Sequence, residues 1–188
     1  MPIQQEEFEE RVRIYEETAD VREQFYKPAL ELIDQGYEIE AYILILATWN
    51  FAGFRYILRD FDLDRFRSII REIKPDFDSL RNERIKDADF GNVELCERIK
   101  NIYRKLKEIV KQTGASKIMH FKNCHLFVMW DTGIRRMYGI TNEAEPEDYI
   151  LFLKKMKTKF GTINWEDENR EQTLAKAIDE YNYIEANE

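Results

Sequence analysis

Hydrophobic side chains recur along this chain at every third or fourth position, which is the spacing of one face of an α-helix. The clearest such stretch runs from Asn92 to about Gln112 and predicts a long amphipathic helix, with its basic side chains largely off the apolar face. The stretch from Tyr37 to Leu58 is apolar nearly all round, so we expect a helix that lies centrally in the fold.

Start and stop signals divide the remaining sequence into further helices. Asp62 or Asp64 is expected to cap a helix over Arg65–Ile73, and Pro75 to end it. Further helices are predicted at Gln4–Phe25, Pro28–Gly36, Thr132–Tyr138, Tyr149–Phe160 and Arg170–Tyr183. No internal repeat or linker interrupts the pattern. The expected fold class is therefore all-α, a compact multi-helix domain that spans residues 1–188.

The composition agrees with a folded domain and excludes several classes of protein. Hydrophobic residues make up 44% of the chain and charged residues 35%, which is too apolar for a disordered chain. Two cysteines, Cys96 and Cys124, can form neither a disulfide framework nor a four-cysteine iron–sulfur site. The longest uncharged run, Ala41–Phe54, is shorter than the ~20 residues of a membrane span. With no leader-like start, we expect a cytoplasmic protein without a membrane partner.

Charge is distributed unevenly along the sequence, although the net charge is −8. Residues 1–97 carry 13 basic and 23 acidic side chains, net −10, and residues 161–188 carry 2 and 8, net −6. Residues 98–142, which we call the basic segment, carry 10 basic and 2 acidic side chains, net +8. Two interpretations stay open: a positively charged face that binds a partner, or an alternation of charge between helices without functional meaning.

The candidate chemistry lies within the basic segment. It reads Val110-Lys-Gln-Thr-Gly-Ala-Ser-Lys-Ile-Met-His-Phe121 and then Leu126-Phe-Val-Met-Trp-Asp-Thr-Gly-Ile-Arg-Arg-Met-Tyr-Gly-Ile140. A break is expected at Thr113-Gly114, followed by a short helix, and Asp131 is placed to cap the next helix, with Gly139 at its end.

These residues resemble the core of the helix–hairpin–helix DNA glycosylases, over about residues 90–140. In that family a glycine-containing hairpin with a following lysine leads, through an apolar stretch, to an aspartate at a helix N-terminus. Gly114 and Lys117 match the first half of the pattern. Asp131-Thr132, Ile134, Arg136 and Gly139 match the second half. The whole chain, with Ala47-Thr-Trp-Asn-Phe51 and Arg55 upstream, also resembles a group of small prokaryotic helical proteins, and that second resemblance implies no activity.

The glycosylase resemblance implies a role for each matched residue. Asp131 would stabilise the positive charge that develops on the sugar as the base leaves. Lys117 would form a Schiff base with the sugar. Backbone N–H groups of Gly114 and Ser116 would hold a phosphate, and the target base would be flipped out of the stack. Further DNA contacts are expected from Lys122, Arg135 and Arg136.

Each of these residues also has a purely structural interpretation. Asp131 can be an ordinary N-cap, and Lys117 a solvated surface lysine. Arg135 and Arg136 can complement a helix dipole, and Met129 and Trp130 can be core residues. His120, Cys124 and His125 match no zinc spacing, so we expect no metal and no cofactor.

Two functions from different classes therefore remain. The first is a DNA-binding or base-excision protein, a DNA N-glycosylase/lyase if it is active. The second is a non-catalytic helical module whose charged faces bind a protein partner. A cleft that holds Asp131 among convergent basic side chains favours the first function, and an Asp131 covered by other side chains favours the second. The sequence leaves the oligomeric state open.

Overall fold

The computed structural model describes residues 2–140, 143–167 and 169–187. Helices account for 72% of the structure, and the described ranges contain no strand, so the predicted all-α class is confirmed. The α-helices in these ranges are α1 (Gln5–Thr18), α2 (Tyr26–Asp34), α3 (Glu38–Trp49), α4 (Phe51–Ile57), α5 (Leu63–Ser79), α6 (Val93–Lys122), α7 (Thr132–Met137), α8 (Pro146–Phe160) and α9 (Leu174–Asn187). Two short 3-10 turns, Val21–Phe25 and Leu58–Asp60, connect α1 to α2 and follow α4.

Helix α6 is the centre of the fold. Asn92 caps it, because the side-chain oxygen accepts hydrogen bonds from the backbone N–H groups of Glu94 and Leu95. Its apolar face packs against α2, α3, α4, α5 and α8. Helix α9 packs against α1 and α7, which brings the C-terminal part of the chain back to the N-terminal helix.

A kink divides α6 into two segments. Lys111 has φ 62° and ψ −177°, a left-handed conformation that costs free energy for a residue with a side chain. The break expected at Thr113-Gly114 is therefore misplaced, and the chain is helical again through Gly114. A Cβ at Gly114 would lie 2.9 Å from Val110 Cβ and 3.0 Å from Leu46 Cδ2. This glycine is needed for the close approach of α3 to α6, not for a hairpin.

Two other boundaries differ from the sequence prediction. The single helix expected from Tyr37 to Leu58 is two helices, because the chain bends at Asn50 between α3 and α4. Pro75 does not end α5 but lies inside it. Ile73 and Phe77, on either side of the proline, are both buried, and this packing outweighs the lost backbone hydrogen bond.

Among the described residues, no single helix is both long and apolar enough to cross a membrane. The segments Glu38–Trp49 and Phe51–Asp60 reach that length and apolar character only as a pair, and they are bent by 113°.

Candidate functional site

A cavity of about 610 Å³ lies where four parts of the fold meet. Its walls come from the end of α1 with the 3-10 turn after it, the corner between α3 and α4, the kinked part of α6 with the loop into α7, and α9. The volume falls within the roughly 300–1,000 Å³ of small-molecule sites. Lys117 and Asp131, the two residues that the glycosylase resemblance singles out, both line it.

Lys117 is a buried amine, not a surface lysine. Its side chain is 9% exposed, and Nζ donates a hydrogen bond to the carbonyl oxygen of Trp49 and lies 5.7 Å from the centre of the Trp49 ring. Burial lowers the pKa of Lys117 toward neutrality, and the carboxylates of Asp179 and Asp131 offset part of this effect. The amine is therefore closer to the neutral, nucleophilic form than a solvated lysine is.

Asp131 is the N-cap of α7, as predicted. Its Oδ1 accepts a hydrogen bond from the Ile134 backbone N–H at 2.9 Å, which fixes the carboxylate at the wall of the cavity. A Cβ at Gly133 would lie 3.3 Å from that oxygen, a tight contact, so the glycine leaves room for the Asp131 carboxylate. The cap bond uses Oδ1. The other carboxylate oxygen, Oδ2, makes no hydrogen bond within the described ranges.

Arg135 also lines the cavity, and it is buried without a negatively charged partner among the described residues. Its Nη1 donates to Thr113 Oγ1 at 3.0 Å and its Nη2 donates to Thr132 Oγ1 at 3.2 Å. The guanidinium carbon lies 5.7 Å from the centre of the Trp130 ring, and Nε has no hydrogen-bond partner. Burial lowers the pKa of Arg135. A buried cation held by two neutral hydroxyls is suited to receive an anionic group.

Asp179 on α9 is the second carboxylate near Lys117. It is partly buried, and burial raises the pKa of its carboxyl group toward neutrality, although Lys176 and Lys117 oppose this shift. Burial thus brings the pKa of the Lys117 amine and the pKa of the Asp179 carboxyl group toward each other within one cavity. Paired shifts of this kind are typical of acid–base sites.

The cavity wall carries as many acidic as basic side chains. The acidic residues are Asp20, Glu23, Asp131 and Asp179, and the basic ones are Arg22, Lys111, Lys117 and Arg135. Some are already paired: Arg22 forms an ion pair with Asp20, and Glu23 forms one with Lys176. The remaining charges are available to a ligand that carries both a negative group and a developing positive charge.

The other residues predicted to bind DNA lie apart from the cavity. Gly114 and Ser116 are buried within α6, and the Ser116 hydroxyl donates to the Trp130 carbonyl oxygen at 3.2 Å. Lys122, at the end of α6, forms an ion pair with Glu38. Arg136 is exposed on α7. Of the five residues in this set, Arg135 is the one that the structure brings into the cavity.

Two residues that the sequence reasoning did not single out for chemistry are essential to the site. Trp49 supplies the carbonyl oxygen that holds Lys117, and its ring forms part of the wall. Asp179 supplies the second carboxylate. Trp49 lies in the Ala47–Phe51 stretch, which carries the resemblance to small prokaryotic helical proteins, so the sequence did mark this residue. Asp179 lies in a region where acidic residues are common, so the sequence did not distinguish it.

The histidines and cysteines near this region take structural roles. His120 is buried, with Nε2 2.7 Å from the Tyr26 hydroxyl and Nδ1 2.6 Å from the Phe127 carbonyl oxygen, and burial lowers its pKa to about 3. His125 lies 3.1 Å from Asp167. Across the described residues, no group of three or more His, Cys, Asp or Glu side chains is arranged to hold a metal ion.

Comparisons with protein-family models, with curated proteins and with solved structures find no match for this chain. A functional assignment must therefore rest on the cavity itself and on the chemistry of the side chains that line it.

Proposed function

We propose that this chain is a DNA N-glycosylase with lyase activity and that the cavity around Lys117 and Asp131 receives a flipped nucleotide. The observation that carries the proposal is the joint presence of the two side chains in one cavity, although they are fourteen positions apart in the sequence. Base excision from a duplex requires such a pocket, because the reacting atoms are inaccessible within the stack.

Lys117 is the nucleophile of the proposed reaction. Its Nζ attacks C1′ of the sugar, and the resulting intermediate rearranges to a Schiff base that precedes strand cleavage. Burial of the amine and its lowered pKa support this role, since the neutral form is the one that attacks. The hydrogen bond to the Trp49 carbonyl oxygen holds Nζ next to another residue of the cavity wall.

Asp131 stabilises the positive charge that develops on the sugar as the glycosidic bond breaks. Its cap bond to the Ile134 N–H holds the carboxylate in a fixed position, so no reorganisation is required in the transition state. The oxygen that is free of the cap bond is the one that faces the sugar in this proposal.

Contacts with the DNA backbone come from basic residues at the cavity. Arg135 lacks an acidic partner in the described structure and has two neutral hydrogen-bond acceptors, which suits the binding of a phosphate. Lys111 lies at the kink of α6 and lines the same wall. Five of the ten basic side chains of the basic segment pair with acidic residues from outside it, and the other five add a longer-range attraction to DNA.

The proposal is tested by measuring base release from a panel of duplexes, each with one damaged base, under single-turnover conditions. We expect release from at least one duplex and a loss of at least 100-fold on Asp131→Asn, which preserves the cap but removes the charge. Arg104→Gln, on the part of α6 remote from the cavity, is the matched control and should retain release. A wild-type protein that releases no base from any duplex contradicts the proposal.

One observation favours a second candidate function, a non-catalytic module that binds a protein partner. Phe51, Tyr56 and Leu58 are 61%, 75% and 52% exposed on α4 and the turn after it, which is unusual for large apolar side chains. This function is indicated if the chain shows no activity on DNA.

A further inference from the structure

The proposed reaction leaves one group of the cavity without a role, the carboxyl group of Asp179. On helix α9, Asp179 and Tyr183, one turn apart, line the cavity with Lys117. Lys176 pairs with Glu23 and lies 5.3 Å from the centre of the Trp49 ring, and with Glu180 it also lines a smaller cavity.

Among the carboxylates of the cavity, Asp179 is the one that the surrounding protein leaves uncommitted. Asp131 caps α7, Asp20 pairs with Arg22, and Glu23 lies 3.0 Å from Lys176. Asp179 makes no hydrogen bond and no ion pair with any described residue. Asp179 is therefore the carboxylate of the cavity that remains available to a ligand.

The groups around Asp179 allow it to exchange a proton with Lys117. Each element that packs around Asp179 contributes titratable or charged groups. These are Tyr15 on α1, Arg22 and Glu23 in the 3-10 turn, Lys117 on α6, Asp131 before α7, and Lys176 and Glu180 on α9. Lys176 remains cationic, because Glu23 and Glu180 raise its pKa. Lys117 is thus the basic group near Asp179 whose pKa is lowered toward neutrality by burial. The two side chains line the same cavity but form no direct ion pair.

We propose that Asp179 is the proton donor to the departing base and that it obtains this proton from Lys117. This inference rests on the proposed function. The ammonium group of Lys117 first transfers a proton to the Asp179 carboxylate, directly or through one water molecule. The neutral Nζ then forms a bond to C1′ while the C1′–N glycosidic bond breaks and its electron pair goes to the base. Asp179 protonates that base, which leaves as a neutral molecule.

The next step does not require Asp179. The new C1′–Nζ ammonium loses a proton to water, and the nitrogen lone pair forms the imine as the C1′–O4′ bond opens. O4′ takes up a proton from water, so atoms and charges balance.

This role predicts a substrate class. A neutral damaged base, such as uracil, hypoxanthine or 8-oxoguanine, leaves poorly as an anion and needs a proton donor. A cationic base such as 7-methylguanine leaves as a neutral molecule without one. The site is therefore suited to neutral oxidised or deaminated bases.

The test compares Asp179→Asn with Glu185→Gln, a matched loss of a carboxylate on the same helix, where the partner is Arg11 outside the cavity. On a duplex with a neutral damaged base that the wild-type protein excises, we expect Asp179→Asn to slow release by about 100-fold, the usual contribution of a general acid. Borohydride trapping on DNA with a preformed abasic site should stay within about tenfold of wild type, because no base has to be protonated there. A merely structural defect would lower both activities.

A second measurement is independent of catalysis. The pKa of Lys117, followed by the NMR shift of its Cε carbon, should fall in Asp179→Asn, because a neighbouring negative charge is lost, and stay nearly unchanged in Glu185→Gln. An unchanged Lys117 pKa or unslowed base release in Asp179→Asn overturns the role of Asp179 alone. A wild-type protein that neither releases a base nor is trapped on abasic DNA overturns the proposed function, and the donor role with it.

Discussion

Replacing Asp179 by Asn should make the protein more stable at neutral and higher pH, although it removes a group proposed to be functional. The carboxyl group has no hydrogen bond to lose among the described residues, and Asn has nearly the same shape. Burial raises the pKa of Asp179 above its ordinary value of 3.8, so the folded chain holds this proton more tightly than the unfolded chain does. Ionisation of Asp179 therefore costs folding free energy.

The size of the effect follows from linkage. Each pKa unit of difference between the folded and unfolded chains corresponds to ~1.4 kcal/mol. Because Asp179 is only partly buried and two lysines attract its charge, we expect Asp179→Asn to gain about 1–3 kcal/mol at pH 8. For a chain of this length the gain corresponds to a rise in Tm of about 3–10 °C. It should shrink as the pH falls and vanish below about pH 4, where the carboxyl group is protonated in both states.

Thermal unfolding of wild type, Asp179→Asn and Glu185→Gln at pH 8 and at pH 4 tests this reasoning. Glu185→Gln loses a partly buried ion pair with Arg11, so its stability should fall by about 1 kcal/mol at pH 8. A destabilised Asp179→Asn at pH 8, or a difference of equal size at both pH values, would refute the account of Asp179 as a strained, uncommitted carboxylate.

Three further predictions concern the cap, the packing of α6 and the binding of DNA. Asp131→Asn should melt within a degree or two of wild type. Asp131→Ala should lower the free energy of unfolding by about 1 kcal/mol, because the Ile134 N–H loses its acceptor. Melting curves that coincide for the two variants would disprove the cap. Gly114→Ala should destabilise the fold by about 1–3 kcal/mol in urea unfolding, because the added Cβ meets Val110 and Leu46 at 3.0 Å or less. An unchanged unfolding midpoint would show that α3 and α6 are not in close contact. Affinity for duplex DNA should fall by about 100-fold between 50 and 200 mM salt if the basic segment contacts roughly four phosphates, and binding that ignores salt contradicts this prediction.

The features that could be predicted from the sequence are those set by local interactions. Asp62 and Asp131 were recognisable as caps because each side chain accepts a hydrogen bond from the backbone N–H three residues further along. Gly139, with φ 71°, was recognisable as the end of a helix because glycine adopts positive φ without steric cost. The kink at Lys111 was missed because a lysine carries no signal for positive φ. Pro75 was misread because the packing of α5 against α6 outweighs the local preference.

The chemistry of the site depends on contacts that are distant in sequence, so it could be predicted only in part. Lys117 and Asp131 were chosen correctly as neighbours of one cavity. The burial of Lys117, however, comes from the Trp49 carbonyl oxygen, which is 68 positions away, and from the bend after α3. Asp179 reaches the cavity only because α9 packs against α1 and α7. No periodicity within α9 distinguishes it from the acidic residues beside it.

On the proposed function, the buried amine of Lys117 reacts with the sugar of DNA. Borohydride reduction of the protein with duplex DNA that contains an abasic site, followed by mass spectrometry of the digested adduct, tests this claim. We expect a covalent complex that maps to Lys117, is abolished in Lys117→Gln and is retained in Lys122→Gln, whose amine pairs with Glu38 outside the cavity. Absence of an adduct in the wild type, or an adduct of equal yield in Lys117→Gln, would contradict the claim.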